Sequence, residues 1–306
     1  MSFNKIKCTE NFANTGIGEC DLVPKHIVGM FLVPESFEIK PDDNIKEVLQ
    51  DATEEDKPQD RIYPIHGFVE VEDNSGDPEE QTFGYGGLSI AREGLYDWSF
   101  RFEKGGVCLN NRLRRYNNAN VRVILIDADG FLFGRKVDGN LKGIPLELFY
   151  VPPFGLSDGD SETTRFRVRI VFKPKYLNEN MAFIDTEDEG FFPEDIKGLQ
   201  EISFALAGTP TTASITIKAV ASCGAENVLE TFETELADDA LWKVTDLSDG
   251  SDVTLTSVAI SGGVATITPD STFPSNISIN LDNVSALDAK GIIGYEGKAL
   301  TVKNIS

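Results

Sequence analysis

No apolar run in this chain is long enough to span a bilayer, which argues against a transmembrane helix. The first residues, MSFNKIKCTENFANTGIGECD, lack the apolar core of a secretory signal. They lead us to expect a protein made in the cytosol and kept there, or released by lysis or assembly. Cysteine is sparse: Cys8, Cys20, Cys108 and Cys223 are widely spaced and form no C-x-x-C pair. With only His26 and His66 to complete a metal set, buried free thiols are expected rather than zinc, in agreement with a cytosolic origin. Basic residues are also short, 28 Lys and Arg against 50 Asp and Glu, for a net charge of −22. Adhesion to a phosphate backbone needs cations to displace counterions, so nonspecific nucleic-acid binding is disfavoured. No long helical pattern is present either, and a capsid subunit built on a spine helix fits poorly.

What is present is apolar and unevenly charged. At 306 residues with 41% hydrophobic residues and 20 Phe, the chain can bury a core in one large domain or two ordinary ones. Residues 41–80 hold 14 acidic against three basic side chains, a balance of 3 − 14 = −11. Residues 100–145 hold nine basic against four acidic, 9 − 4 = +5. Opposite patches on identical copies can meet head to tail and close a ring, or neutralise each other within one monomer.

The organising stretch is Asn120–Val151, read as a β-hairpin followed by a third strand. Val121, Val123 and Leu125 alternate with Arg122, Ile124 and Ile126. Asp127-Ala128-Asp129-Gly130 then supplies turn chemistry, because aspartates bond their own backbone and glycine accepts a positive φ. Phe131, Phe133 and Arg135 continue beyond the turn. Arg122, Arg135, Lys136 and Lys142 make this hairpin a basic island, read as a subunit-joining element.

Residues 1–21 read as an extended arm. Pro24 and Pro34 cut the apolar runs of Leu22–Ile39 and assign them to edge strands or loops. A helix is predicted after Pro41, capped by Asp42 or Asp43, with Ile45, Val48, Leu49 and Ala52 on one face, fading through Glu54 and Glu55 before Pro58. Strands follow at Arg61–Glu72 and, as a pair, at Gln81–Ile90 and Leu95–Phe102. In the last of these, Tyr96, Trp98, Phe100 and Phe102 share one face, the core side. Val107–Asn117 reads as a short helix with Leu109 and Leu113 inward and Arg112, Arg114 and Arg115 outward, suited to carboxylates of another subunit. Pro152-Pro153 ends the central stretch, and the acidic loop SDGDSETT follows. Thr164–Lys173 is a strand with Arg165, Arg167 and Arg169 as a guanidinium ladder, which calls for carboxylates from this chain or a neighbour; the run Asp185–Gly190 is one source.

Composition changes near Ala205–Thr212, dividing the chain into a β-rich assembly domain, 1–205, and a small Ig-like β-sandwich, 206–306. Five short strands are predicted in the latter: Ser214–Ala221, Asp252–Ile260, Val264–Thr268, Asn276–Leu281 and Ala299–Val302. Ala237–Trp242 reads as a helical turn or loop, with Trp242 a core anchor. The fold class expected is mainly β, a sandwich or barrel-like N-terminal domain with one or two short helices plus the small sandwich.

Reactive groupings are scarce. His26 and His66 have no nucleophile or carboxylate beside them in sequence, and lone histidines among strands are usually structural. Asp127-x-Asp129-Gly130 resembles the start of a calcium loop but lacks a third early ligand and the terminal Glu, so a hairpin turn is favoured. Gly84-Tyr85-Gly86-Gly87 is not followed by Lys-Ser/Thr and is no phosphate loop. Carboxylates are too numerous for any one pair to indicate a glycosidase. No catalytic residue, cofactor or metal is expected.

The strand, Asp/Gly turn and strand of VRVILIDADGFLFGRKVDGNLKG (Val121–Gly143) belong to a larger order of elements. Together with the acidic helix at Asp42–Glu55, the Arg-alternating strand at Thr164–Lys173 and the C-terminal sandwich, this order resembles the tail tube proteins of long-tailed bacteriophages. The resemblance implies a non-enzymatic virion protein that self-assembles into stacked, hexameric rings. It would meet other tail proteins, pass DNA without specific binding, and have no membrane role. Assembly would take place in the host bacterial cytoplasm, and some members bear an Ig-like domain outside. An acidic lumen repels phosphate, in keeping with that role. The expected interface residues are Arg112, Arg114, Arg115, Arg135 and Lys136 against Asp51, Glu54 and Glu55. The rival expectations are a capsid decoration or other head, neck or tail protein and, in another class, a glycan-binding adhesion module using Trp242 and Tyr295.

Overall fold

The computed structural model describes residue 6 and residues 25–102, 105–154, 166–178, 180–221 and 226–305. The expected N-terminal arm, the SDGDSETT loop, Arg165 and Cys8, Cys20 and Cys223 lie outside them. The chain is mainly β and forms two compact units, the first reaching Lys197 (apart from Glu54–Asp56) and the second beginning at Gly198.

The first unit holds strands β1 (Ile27–Val33), β2 (Glu38–Ile39), β3 (Tyr63–His66), β4 (Phe68–Asp73), β5 (Glu79–Thr82), β6 (Leu88–Arg92) and β7 (Tyr96–Phe102). It continues with β8 (Arg122–Asp127), β9 (Phe131–Val137), β10 (Asn140–Lys142), β11 (Ile144–Pro145), β12 (Leu148–Tyr150), β13 (Phe166–Phe172) and β14 (Met181–Asp185). Helices α1 (Ile45–Glu54) and α2 (Gly106–Leu113) interrupt them. One eight-stranded sheet runs β2-β10-β9-β8-β1-β3, with β11 also on β8 and β14 also on β9; a second sheet runs β12-β13-β7-β4.

The expected hairpin is the middle of the first sheet. Leu125 pairs with Phe133 and Ile126 with Leu132 across the Asp127–Gly130 turn, and Gly130 takes φ +87°. Strand alternation explains why both faces are apolar. Val123 and Leu125 join Met30 and Leu32 against Phe100, Phe102, Val168 and Ile170 of the second sheet. Ile124 and Ile126 join Phe31 and Val33 on the opposite face, where α1 covers them with Ile45 and Leu49. The predicted third strand is broken into β10, β11 and β12, the last of which has crossed into the second sheet. Asp138 and Gly139, both at positive φ, make the tight turn from β9 to β10.

The prolines misled the reading of Leu22–Ile39. Pro34 lies just beyond β1 and Pro24 outside the described residues, so β1 is free to sit between β8 and β3, buried from Met30 to Val33. Arg61–Glu72 is two strands, because Gly67 at φ +82° turns the chain from the first sheet into the second. Gln81–Ile90 does not pair with Leu95–Phe102. It folds back on itself as the hairpin β5-β6, while β7 pairs with β4 and β13. α1 begins at Ile45, two residues after Asp43, whose carboxylate accepts the Lys40 amide at 2.7 Å in the preceding turn. The free-thiol expectation fails at Cys108, which is disulfide-bonded. Spacing rules see only neighbouring cysteines, and a disulfide between distant positions escapes them. It also removes the support that cysteine usage lent to a cytosolic location.

The second unit has strands β15 (Gln200–Leu206), β16 (Ile215–Ala221), β17 (Trp242–Asp246), β18 (Leu255–Ser261), β19 (Val264–Pro269), β20 (Asn276–Leu281), β21 (Tyr295–Lys298) and β22 (Leu300–Lys303). Sheets of order β18-β19-β16-β15-β21 and β17-β20-β22 enclose one apolar core. The composition change at 205 misplaces the division, since β15 is already a strand of this unit, paired with β16 and β21. Trp242 is buried as expected and donates its indole N–H to the Leu236 carbonyl at 2.8 Å.

Candidate subunit-joining surface

The acidic and basic elements are held by opposite faces of the eight-stranded sheet. Ile45 and Leu49 dock α1 on one face, turning Glu47 and Asp51 to solvent, with Glu54 half-buried at its end and Glu55 exposed just beyond. Leu113, with Leu109 beside it, anchors α2 in the core between the two sheets. Arg112 is thereby half-exposed, and Arg114 and Arg115, in the 3-10 turn that follows, are exposed. Although docked on opposite faces, the two elements approach each other at one edge, where Pro58, just after α1, and Tyr116, just after the arginines, line one groove.

Other members of the basic island are neutralised at home. Arg122 pairs with Glu35, Lys142 with Glu38 at 2.9 Å and Arg101 with Glu70 at 3.1 Å. The Lys142 hydrogen bond holds the Glu38 carboxyl below the usual carboxylate range. Arg135 is half-occupied structurally, its guanidinium lying 4.9 Å above the Tyr176 ring. Arg112, Arg114, Arg115 and Lys136 take part in none of the ion pairs among the described residues.

The arginine ladder on β13 is satisfied within the chain. Arg169 grips Asp97 through two nitrogens at 2.9 and 2.6 Å, and Arg167 reaches Glu72 at 3.0 Å. Arg167 stands opposite Arg101, a repulsive pairing, and Glu70 and Glu72 of β4 offset it. In the run Asp185–Gly190, the Asp185 carboxylate accepts the amides of Glu187 and Asp188 and closes the turn.

Sequence reading missed the most exposed apolar element. Hairpin β5-β6 carries Leu88 at 62%, Ile90 at 60% and Tyr85 at 86% exposure, with the Phe83 and Tyr85 rings stacked at 5.6 Å on its tip. An isolated two-stranded hairpin is marginal in water, and one that shows this much apolar surface calls for a partner. The available signal was Gly84-Tyr85-Gly86-Gly87, a turn flanked by strand residues with no long loop. Elsewhere in the unit, Pro34, Pro58, Arg61, Tyr63 and Tyr116 line a groove of about 500 Å³. Burial and a hydrogen bond with Tyr63 push the Tyr116 hydroxyl pKa upward, keeping it neutral.

Of the positions searched for chemistry, His66 and the Asp127–Asp129 turn make structural contacts. His66 is held by Nε2 at 2.9 Å from the Ile196 carbonyl, edge-on to Phe31, and burial pushes its pKa down. The Asp127 carboxylate is buried and accepts the amides of Lys25, Asp129 and Phe131, while Asp129 pairs with Lys25 at 2.7 Å. No group of three His, Cys, Asp or Glu comes together among the described residues. No described helix is long and apolar enough to cross a membrane. Trp242 is buried and packs on Phe204, while the half-buried Tyr295 meets Phe232 and donates its hydroxyl to Glu226 at 3.1 Å. Compared with known proteins, the chain matches no family model and no curated protein.

Proposed function

We propose that this protein is a non-enzymatic structural subunit that joins copies of itself head to tail into stacked rings, as tail tube proteins of long-tailed bacteriophages do. The observation that carries this reading is the charge segregation. An acidic helix and a set of arginines that take part in no ion pair among the described residues dock on opposite faces of one sheet, an arrangement that a heterologous, ring-closing contact can use. In this reading the rings are hexameric and sit in the virion tail after assembly in the host bacterial cytoplasm. The net charge of −22 lets DNA pass without adhering. Light scattering and negative-stain imaging over rising protein concentration test it. Rings or tubes are the expected result, and a protein that stays monomeric at high concentration would sink the reading.

A further inference from the structure

Three features lie open on the surface of the first unit: the aromatic tip of hairpin β5-β6, the groove beside Tyr63 and Tyr116, and the arginines next to that groove. We infer that they are one contact, in which the hairpin of one copy inserts Phe83 and Tyr85 into the Tyr63/Tyr116 groove of a second copy. This inference rests on the self-assembly reading and assigns its joint.

The fit is chemical as well as geometric. The stacked pair is flat and apolar with one phenol hydroxyl, and the groove is lined by proline rings and two tyrosines, with Glu35 and the buried Arg61 also on its wall. Aromatic rings bury about 150–250 Å² each, and a cavity of 300–1,000 Å³ typically encloses a drug-sized ligand, so about 500 Å³ admits both rings. Glu79 and Glu80 against Arg92 leave the hairpin strands acidic, 1 − 2 = −1. Arg114 and Arg115 immediately precede groove residue Tyr116. At about 3.4 Å per residue, Glu80 lies about 10 Å behind Phe83, where long arginine side chains at the groove rim meet it. Tip and groove are different surfaces, so the contact is heterologous and repeats from copy to copy.

All the residues to be altered at the hairpin and in the arginine pair are exposed, so the variants keep the fold, and an unchanged melting temperature checks this. The full chain is compared by light scattering and negative stain as wild type, as F83S/Y85S, as R114E/R115E, as E79K/E80K, and with both charge reversals combined. The first three variants are expected to lose at least tenfold in assembled fraction at a concentration where wild type assembles, and the combined reversal to regain assembly. Wild-type assembly by F83S/Y85S, or no recovery in the combined reversal, overturns this joint and leaves self-assembly standing. A wild type that never assembles overturns both.

Discussion

At the scale of single residues, Asp127 shows how a buried carboxyl group is put to use in a turn. Its carboxylate closes the turn by accepting backbone amides that would otherwise be unpartnered. Asp127→Ala should cost about 2–3 kcal/mol, the range for losing bonds to a charged group and leaving donors bare. Asp127→Asn, which keeps one carbonyl oxygen, should cost less; urea unfolding of both reads the difference. His66 gives a pH dependence. Burial, opposed by its bond to Ile196 and by Glu194, lowers its folded-state pKa below that of the unfolded imidazole. Unfolding therefore takes up a proton in acid. The stability from the neutral ring is complete above about pH 6.5 and declines as pH falls through the interval down to the folded value. The melting temperature should fall between about pH 7.5 and 5.5, more steeply for wild type than for His66→Gln.

At the scale of elements, the turns set the topology. Gly143 lies where β10 gives way to β11, and a Cβ there would collide with Val33 and would sit 2.7 Å from the Arg122 Cβ. Gly143→Ala should destabilise by about 1–3 kcal/mol, the cost of overpacking a filled site, in chemical denaturation. By contrast Arg167→Ala should cost under about 1 kcal/mol, since its pair with Glu72 is partly exposed and screened. A fall of 3 kcal/mol there would mean the ladder does more than balance surface charge.

For the whole molecule, two units with separate cores imply two folding units. From Ile202 onward, the buried apolar residues form one cluster of their own. A fragment starting at Gly198 should melt cooperatively by circular dichroism, whereas one starting at Ala207 would lack β15 and should not. The same scale carries the assembly reading, because a net charge of −22 spread evenly would only repel copies. In the proposed assembly, segregating arginines that have no ion pair among the described residues would let copies attract in one orientation.

Local chemistry by itself determined much. The Asp/Gly turn, the alternation in β8, β9 and β13, the α1 apolar face and five strands of the second unit all follow from patterns within about ten residues of chain. So did the inward aromatics of β7 and the burial of Trp242. What only the tertiary structure decided depends on distant partners. It placed β1 in the middle of a sheet despite its flanking prolines, gave β15 to the second unit, and bonded Cys108. It also sorted the basic residues, since Arg122 and Lys142 meet Glu35 and Glu38 while Arg114 and Arg115 meet no carboxylate among the described residues. Charge is written in the sequence, but neutralisation depends on distance, and distance is fixed only when the sheets close over their cores.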